Sequence, residues 1–256
     1  MSSFIALLSP AKLIDDQTHY PELSCTEALF PAEARTLVSK LKKKSASELS
    51  DLMEMSEALG EETRRRFNSW KLPFTHENAH PAMLMFKGEV YRGLKANELN
   101  KKQLDFAQQH IRILSGLYGI LRPLDLVMPY RLMMGTKFKI DSKTPDLYAF
   151  WTNRITEHLN DTLGKNDCVL NLASAEYFKC VNTDILNKRI VQCEFKEKKG
   201  NQFKTVNTYT KLARGKMARF IIENELKHIE DIRAFDQDQY IFNSSLSSVD
   251  NFVFTR

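Results

Sequence analysis

The sequence predicts an α/β fold of mixed α+β character, one domain over residues 1–256, with a mixed central sheet surrounded by helices. Three observations carry that expectation. Phe4–Leu8 is a continuous apolar run stopped by turn residues, the profile of a buried strand, and Cys168-Val-Leu-Asn-Leu172 reads as a second buried strand. Between and after them lie stretches with apolar residues at helical spacing. No repeat, low-complexity segment or linker interrupts the chain, and 43% apolar residues over 256 positions are ample for one core.

Taken in order, Phe4–Leu8 is a strand stopped by Ser9-Pro10. Residues 26–43 read as a helix through Ala34, Leu37, Val38 and Leu41, ending in the solvated run Lys42-Lys43-Lys44. Ser45 and Ser47 open a short helix through Leu49, Leu52 and Met53. The next helix spans 56–69, with Met55, Leu59 and Phe67 inward and Glu61/Arg65 and Glu62/Arg66 paired at i,i+4 outside. The run Arg64-Arg65-Arg66 is then an ion-paired face rather than a nucleic-acid patch.

After Pro73, Met83, Leu84, Phe86 and Val90 lead helically to Tyr91-Arg92-Gly93. Residues 97–110 are expected as helix, 111–115 as strand, and 145–161 as a helix burying Leu147, Phe150, Trp151, Ile155 and Leu159. Residues 190–195 and 203–209 form a strand hairpin with the charged tip KEKKGNQ around Gly200. A helix over 211–227 and a closing strand over 251–254 complete the chain.

Charge narrows the partners. Lys plus Arg number 37 against 32 Asp plus Glu, a net charge of +5 that permits an anionic partner without demanding one. The four cysteines (Cys25, Cys168, Cys180, Cys193) contain no CxxC pair and read as reduced thiols of a cytosolic protein. The apolar run at Phe4–Leu8 is too short and wrongly flanked for a signal peptide or a membrane span. A soluble, cytoplasmic monomer with no membrane partner, no metal and no cofactor is expected.

The most informative stretch is 106–135, FAQQHIRILSGLYGILRPLDLVMPYRLMMG. Arg112, Arg122 and Arg131, with Arg92 upstream, sit among glycines, prolines and large apolar residues. That mixture suits a half-buried, anion-facing floor. It also suits structural arginines paired with Asp125, Asp105 or Asp146, because arginine in an apolar context needs a partner either way. Gly116 and Gly119 flank Leu117-Tyr118 as turn residues, compatible with a hairpin whose backbone amides meet phosphates. On the 211–227 helix, Lys211, Arg214, Lys216 and Arg219 avoid the arc of Met217, Phe220 and Ile221, which fits phosphate contact or plain solvation.

The two buried strands end in similar polar clusters. Ser9-Pro10-Ala11-Lys12 follows the first, and Asn171-Leu-Ala-Ser174 with Glu176, Tyr177 and Lys179 follows the second. Strand ends of α/β proteins collect ligand groups. Ser174 lacks a GxSxG elbow and a partner histidine, which counts against a hydrolase. His76-Glu77-Asn78-Ala79-His80 satisfies HExxH, but Pro81 follows at once and disfavours the helix that zinc binding needs. The bland expectation is a surface helix start with two solvent histidines.

The segments LSGLYGILRPLDLVMPYRLMMG, LLSPAK, FKGEVYRGL, NLASAEYFK and ARGKMARFIIEN closely resemble the bacterial peroxide-stress YaaA family, and the resemblance runs from residue 4 to near the C-terminus. It implies a role in surviving hydrogen peroxide by lowering free iron and so limiting DNA damage. It also implies a DNA-binding fold with a helix-hairpin-helix-like element beside a positively charged cleft. Carried over by matching segments and charge, the hairpin falls at Gly116–Gly119. The cleft then draws on Lys12, Arg92, Arg112, Arg122, Arg131, Lys179, Arg214 and Lys216. HExxH is not part of that family pattern.

The expectation is therefore a DNA-binding protein of the oxidative-stress response rather than an enzyme, with structure-selective or non-specific binding. The alternative is an enzyme acting on nucleic acid or a small anionic metabolite, using Ser9, Asn171, Ser174 and Tyr177 with Asp125 as base. An iron-binding buffer finds little support, since cysteine clusters and carboxylate–histidine cages are missing from the sequence.

Overall fold

The computed structural model describes residues 3–18, 20 and 22–256. β1 (Phe4–Leu8) is buried along its whole length, as its unbroken apolar run predicts. Two short strands follow, β2 (Leu13–Ile14) and β3 (Thr26–Glu27). The helix expected from residue 26 begins later, as α1 (Pro31–Leu41). Pro31 occupies the first turn, where its missing N–H costs nothing, while Thr26–Glu27 pair as a strand.

α2 (Ala46–Met53) starts at a Ser45/Glu48 capping box. α3 (Glu57–Ser69) is capped by Ser56. Glu54 turns the chain between them at φ 51°, so α2 and α3 form a tight helical hairpin. On α3's outer face Glu62 pairs with Arg66 at 2.5 Å, and Arg66 also reaches Asp16 at 3.3 Å. β4 (His80–Pro81), α4 (Ala82–Met85), β5 (Phe86–Lys87) and α5 (Glu89–Leu94) replace the single helical run expected after Pro73. Then come α6 (Lys101–His110), β6 (Ile111–Ser115), β7 (Gly119–Leu121) and β8 (Asp125–Val127).

The expected helix-hairpin-helix at Gly116–Gly119 is corrected here. This turn joins two antiparallel strands, with Ser115 opposite Gly119 and Ile113 opposite Leu121. The Ser115 hydroxyl accepts the Leu117 and Tyr118 amides, which closes the turn. Gly119 sits at φ 73° with its Cα against the Trp151 ring, a place where no other residue fits without strain.

α7 (Leu147–Thr162), β9 (Cys168–Asn171) and α8 (Ala175–Phe178) follow. β10 (Arg189–Lys199) outruns the sheet and pairs at its far end with β11 (Gln202–Lys204). The second hairpin strand is shorter than expected because α9 (Asn207–Glu223) has already begun by residue 207. β12 (Ile241–Phe242) and β13 (Asn251–Thr255) close the chain.

The main sheet runs β12-β13-β10-β9-β1-β6-β7. β13, β10, β9, β1 and β6 are mutually parallel, and the outer strands β12 and β7 are antiparallel to their neighbours. The sheet is thus mixed, as predicted. α9 lies on β10, α6 on β1 and β6, and α7 on β7, and the apolar side chains merge into one core. α5 crosses α9 so closely that a Cβ on Gly215 would lie 1.8 Å from the Val90 carbonyl oxygen.

The order of the strands defines one position above others. From β1 the chain leads to β6 on one side, and from β9 it leads to β10 on the other. Connections leaving adjacent parallel strands in opposite directions open a crevice at their C-terminal ends.

Candidate functional site

Arg112 and Arg122 hold the structure together more than they face an anion. Arg112 is buried on β6, and its Nη1 donates to the carbonyls of Gln108 at 3.0 Å and Ile111 at 2.8 Å, capping the C-terminus of α6. Burial, with the nearby Arg122 charge, pushes its pKa down to about 10. Arg122 Nε donates to Asp125 Oδ1 at 2.9 Å, and its Nη2 donates to the Glu27 carbonyl at 2.8 Å. Asp125 is fully buried and also accepts the Thr26 hydroxyl at 2.6 Å and the Arg122 amide at 2.8 Å. Burial raises the Asp125 pKa, while these donors hold it down.

The remaining members of the expected cleft scatter over the molecule. Arg92 pairs with Glu89 at 2.5 Å, and Lys216 is held by Asp238. Lys179 sits 4.7 Å above the Tyr148 ring. The Arg214 Nε is buried with no partner among the described residues. Gly116 and Gly119 are buried, with Gly116 pressed against the Leu132 carbonyl. Among the described residues, only Lys12 and Arg131 of that set are brought together without an ion pair: both line a small hollow with Pro10, Tyr130, Met133 and Tyr177.

That hollow lies at the crevice between β1 and β9. The Ser174 amide donates to Ser9 Oγ at 2.9 Å, and Ser9 Oγ donates to Ser174 Oγ at 3.3 Å. Asn171 turns aside, donating to Gln192 at 2.7 Å and accepting the Ala173 amide. Tyr177 donates to the Met133 sulfur at 3.7 Å. Asp125 belongs to the Arg122–Thr26 group rather than to these residues, which removes the base that the enzyme alternative assigned. Tyr91, which the sequence reading left out, donates to the Ser9 carbonyl at 3.0 Å, and burial holds its phenol protonated far above the usual range. An aromatic three residues from a turn carries no signal of its own in sequence; only the strand order reveals its place.

Beyond Lys12 and Met133 the hollow opens into a cleft of about 670 Å³. One wall is Gly135, Thr136, Lys137 and Glu176, and the other is α2 with Lys44, Glu48, Asp51 and Glu54. Its charge is mixed rather than basic.

A second feature escaped the residue-by-residue reading, although the sequence carries it. Residues 198–222 hold Lys198, Lys199, Lys204, Lys211, Arg214, Lys216 and Arg219 and no Asp or Glu. A charge window would have found it. Lys198, Lys199, Lys204 and Lys211 are exposed and without ion pairs among the described residues, and Phe203 (38% exposed) and Tyr209 (47%) lie among them. Lys198 and Phe203 are opposite each other on the β10–β11 ribbon.

HExxH is not a helix. Residues 76–78 form a turn that leads directly into β4, so His76 and His80 do not share a helical face. His80 is buried, with Nδ1 3.1 Å from the Thr18 carbonyl, and is not the solvent histidine expected. Among the described residues no group of three His, Cys, Asp or Glu is placed to hold a metal ion. Burial pushes the thiols of Cys25 and Cys168 up to about 11 and that of Cys180 up to about 12. None of the helices described is long and apolar enough to cross a membrane.

The sequence matches, over residues 4–246, the family model described as peroxide stress protein YaaA. It is 46% identical over 252 residues to a UPF0246 protein of Bordetella avium, covering 98% of each chain. A UPF0246 protein of Saccharophagus degradans is 45% identical over 254 residues, 98% of this chain and 99% of its own. One from Bordetella petrii is 44% identical over 252 residues, again 98% of both.

Proposed function

The chain belongs to the YaaA family of peroxide stress proteins, and from that premise we propose that it binds DNA in the cytoplasm and limits iron-dependent damage during hydrogen peroxide stress. The observation that carries this reading is the acid-free basic run 198–222 on a projecting ribbon. Four unpaired lysines offer phosphate contacts, and exposed Phe203 and Tyr209 offer faces to bases. A two-stranded ribbon is also a shape that the major groove admits. The DNA surface therefore moves from Arg112 and Arg122, which are engaged within the fold, to the ribbon and the start of α9.

The thiols favour protection of DNA over direct removal of peroxide. A peroxide-reducing cysteine needs thiolate character, and burial opposes ionisation at Cys25, Cys168, Cys180 and Cys193 alike.

Fluorescence anisotropy with duplex, single-stranded and four-way-junction DNA across a salt series tests the reading. The expected result is salt-sensitive binding that weakens at least tenfold in a Lys198→Ala/Lys199→Ala/Lys204→Ala variant. The log–log salt slope on duplex should fall by about 2 to 3, close to 0.9 per lost phosphate contact. No binding by the wild-type protein at low salt overturns DNA binding. Binding with an unchanged slope in the triple variant overturns the ribbon as its surface.

A further inference from the structure

We propose that the crevice at the C-terminal ends of β1 and β9 is a binding site for a small phosphate monoester, with Lys12 and Arg131 holding the phosphate. The site is separate from the basic ribbon, and its occupant is a small ligand rather than a duplex.

Position supplies the first argument. The chain leaves β1 and β9 in opposite directions, and such switch points are where open α/β sheets bind ligands. Ser9 and Ser174, in the segments that leave those two strands, are hydrogen-bonded to each other there.

Unspent bonding capacity supplies the second. Arg112, Arg122, Arg154, Arg189, Arg219 and Arg256 each have hydrogen-bond or ion-pair partners. Half-buried Arg131 and exposed Lys12 both line the hollow, and neither has a partner among the described residues. The Ser174 hydroxyl accepts from Ser9 but donates to nothing described, so its proton is free for a ligand. Tyr177 spends its proton on a thioether at 3.7 Å, a weak acceptor that a phosphate oxygen would displace. Two cations and two hydroxyl donors match a phosphate monoester, whose charge near neutral pH approaches −2.

The adjoining cleft decides the size and character of the ligand. Its outer wall presents Glu48, Asp51 and Glu54, with Asp51 and Glu54 free of ion pairs among the described residues. A duplex laid along the cleft would bring its phosphates against those carboxylates. A single phosphate held by Lys12 and Arg131 would meet fewer of them than a duplex would, and leaves the rest of the molecule facing acceptors. The body of the ligand should therefore carry nitrogen donors, as an amino-substituted base or an amino sugar does. Such a phosphate can come from a free nucleotide or from the 5′ end of a nucleic-acid strand.

Isothermal titration calorimetry with AMP, inorganic phosphate, and one oligonucleotide bearing either a 5′-phosphate or a 5′-hydroxyl tests this. AMP should bind the wild-type protein more tightly than inorganic phosphate. Lys12→Ala and Arg131→Ala should each weaken AMP at least tenfold, and Ser174→Ala by about threefold, the range of a single charged or neutral hydrogen bond. Arg131→Lys should recover part of the loss and confirms an intact fold. The ribbon triple variant should bind AMP normally, which separates failure here from failure of the DNA reading. Binding of the 5′-phosphorylated strand alone, lost in the Lys12→Ala variant, supports the site with strand ends as the source. The proposal is overturned if neither AMP nor the 5′-phosphorylated strand binds, if the 5′-hydroxyl strand binds equally, or if Lys12→Ala and Arg131→Ala leave AMP binding unchanged.

Discussion

The indole Nε1 of Trp70 donates to the hydroxyl of Tyr118 at 2.9 Å, joining residues 48 positions apart inside the core. The same oxygen accepts the Met128 amide at 3.1 Å and donates to the Met128 carbonyl at 3.2 Å. Tyr118 thus uses the whole capacity of one hydroxyl to tie the end of α3 and the strand after Asp125 to the β6–β7 turn.

Removing that oxygen leaves an indole N–H and two backbone groups stranded in the core. Tyr118→Phe should therefore cost about 2 kcal/mol, the penalty of unsatisfied buried donors. Urea unfolding would show a lower midpoint with an unchanged m-value. An unaltered midpoint would mean that water or a neighbour replaces the hydroxyl.

The Arg122–Asp125 pair makes a sharper case. Asp125 is wholly buried, and its charge is balanced by Arg122, the Arg122 amide and Thr26. Arg122→Ala removes the countercharge and should destabilise by about 3 kcal/mol, as breaking a buried pair from one side does. Lys12→Ala, at an exposed residue without an ion pair among the described residues, should stay within about 0.5 kcal/mol. Equal losses in the two variants would refute the assignment of Arg122 to structure and Lys12 to ligand.

The crossing of α5 on α9 depends on the missing side chain of Gly215. An added Cβ would meet the Val90 carbonyl oxygen at 1.8 Å, and the atom in the way is backbone. Gly215→Ala should cost more than about 2 kcal/mol through forced separation of the helices. Gly200→Ala, at φ 61° with open space around it, should cost only about 1 kcal/mol from its left-handed backbone. The comparison is read from thermal unfolding of the two variants.

How far the sequence disclosed this protein depended on the range of the interactions involved. Local signals are sound: the segments 4–8 and 168–172 form β1 and β9, Ser45 opens α2 as expected, and the helix expected over 56–69 is α3. Thr26 was misread as part of a helix because what holds it extended is Asp125, 99 residues away. Arg112 looked like an anion-binding residue because its partners are carbonyls of the preceding helix, which no scan for acidic residues detects. Gly116 and Gly119 were rightly seen as a turn, but turn residues do not disclose what they join. Ser9, Ser174 and Tyr177 were singled out from strand ends alone. That Arg131 lines the same hollow as Tyr177, and that Asp125 does not, follows from chain tracing between distant segments.

Two histidines give stability a direction with pH. His158 is held below its usual 6.5 by burial first, then by the charges of Arg112 and Arg122. His110, stacked at 4.1 Å on Phe106, is lowered by burial as well, against a hydrogen bond to the Phe4 carbonyl that works the other way. Below pH 6.5 the unfolded chain takes up protons at both positions before the folded one does, so stability is full above that value and declines as pH falls through the folded values. Urea midpoints should fall between pH 7.5 and pH 5.5. His158→Gln should flatten that decline, because glutamine cannot take up the proton that the unfolded histidine gains. A decline of equal size in wild type and variant would place the titrating group elsewhere.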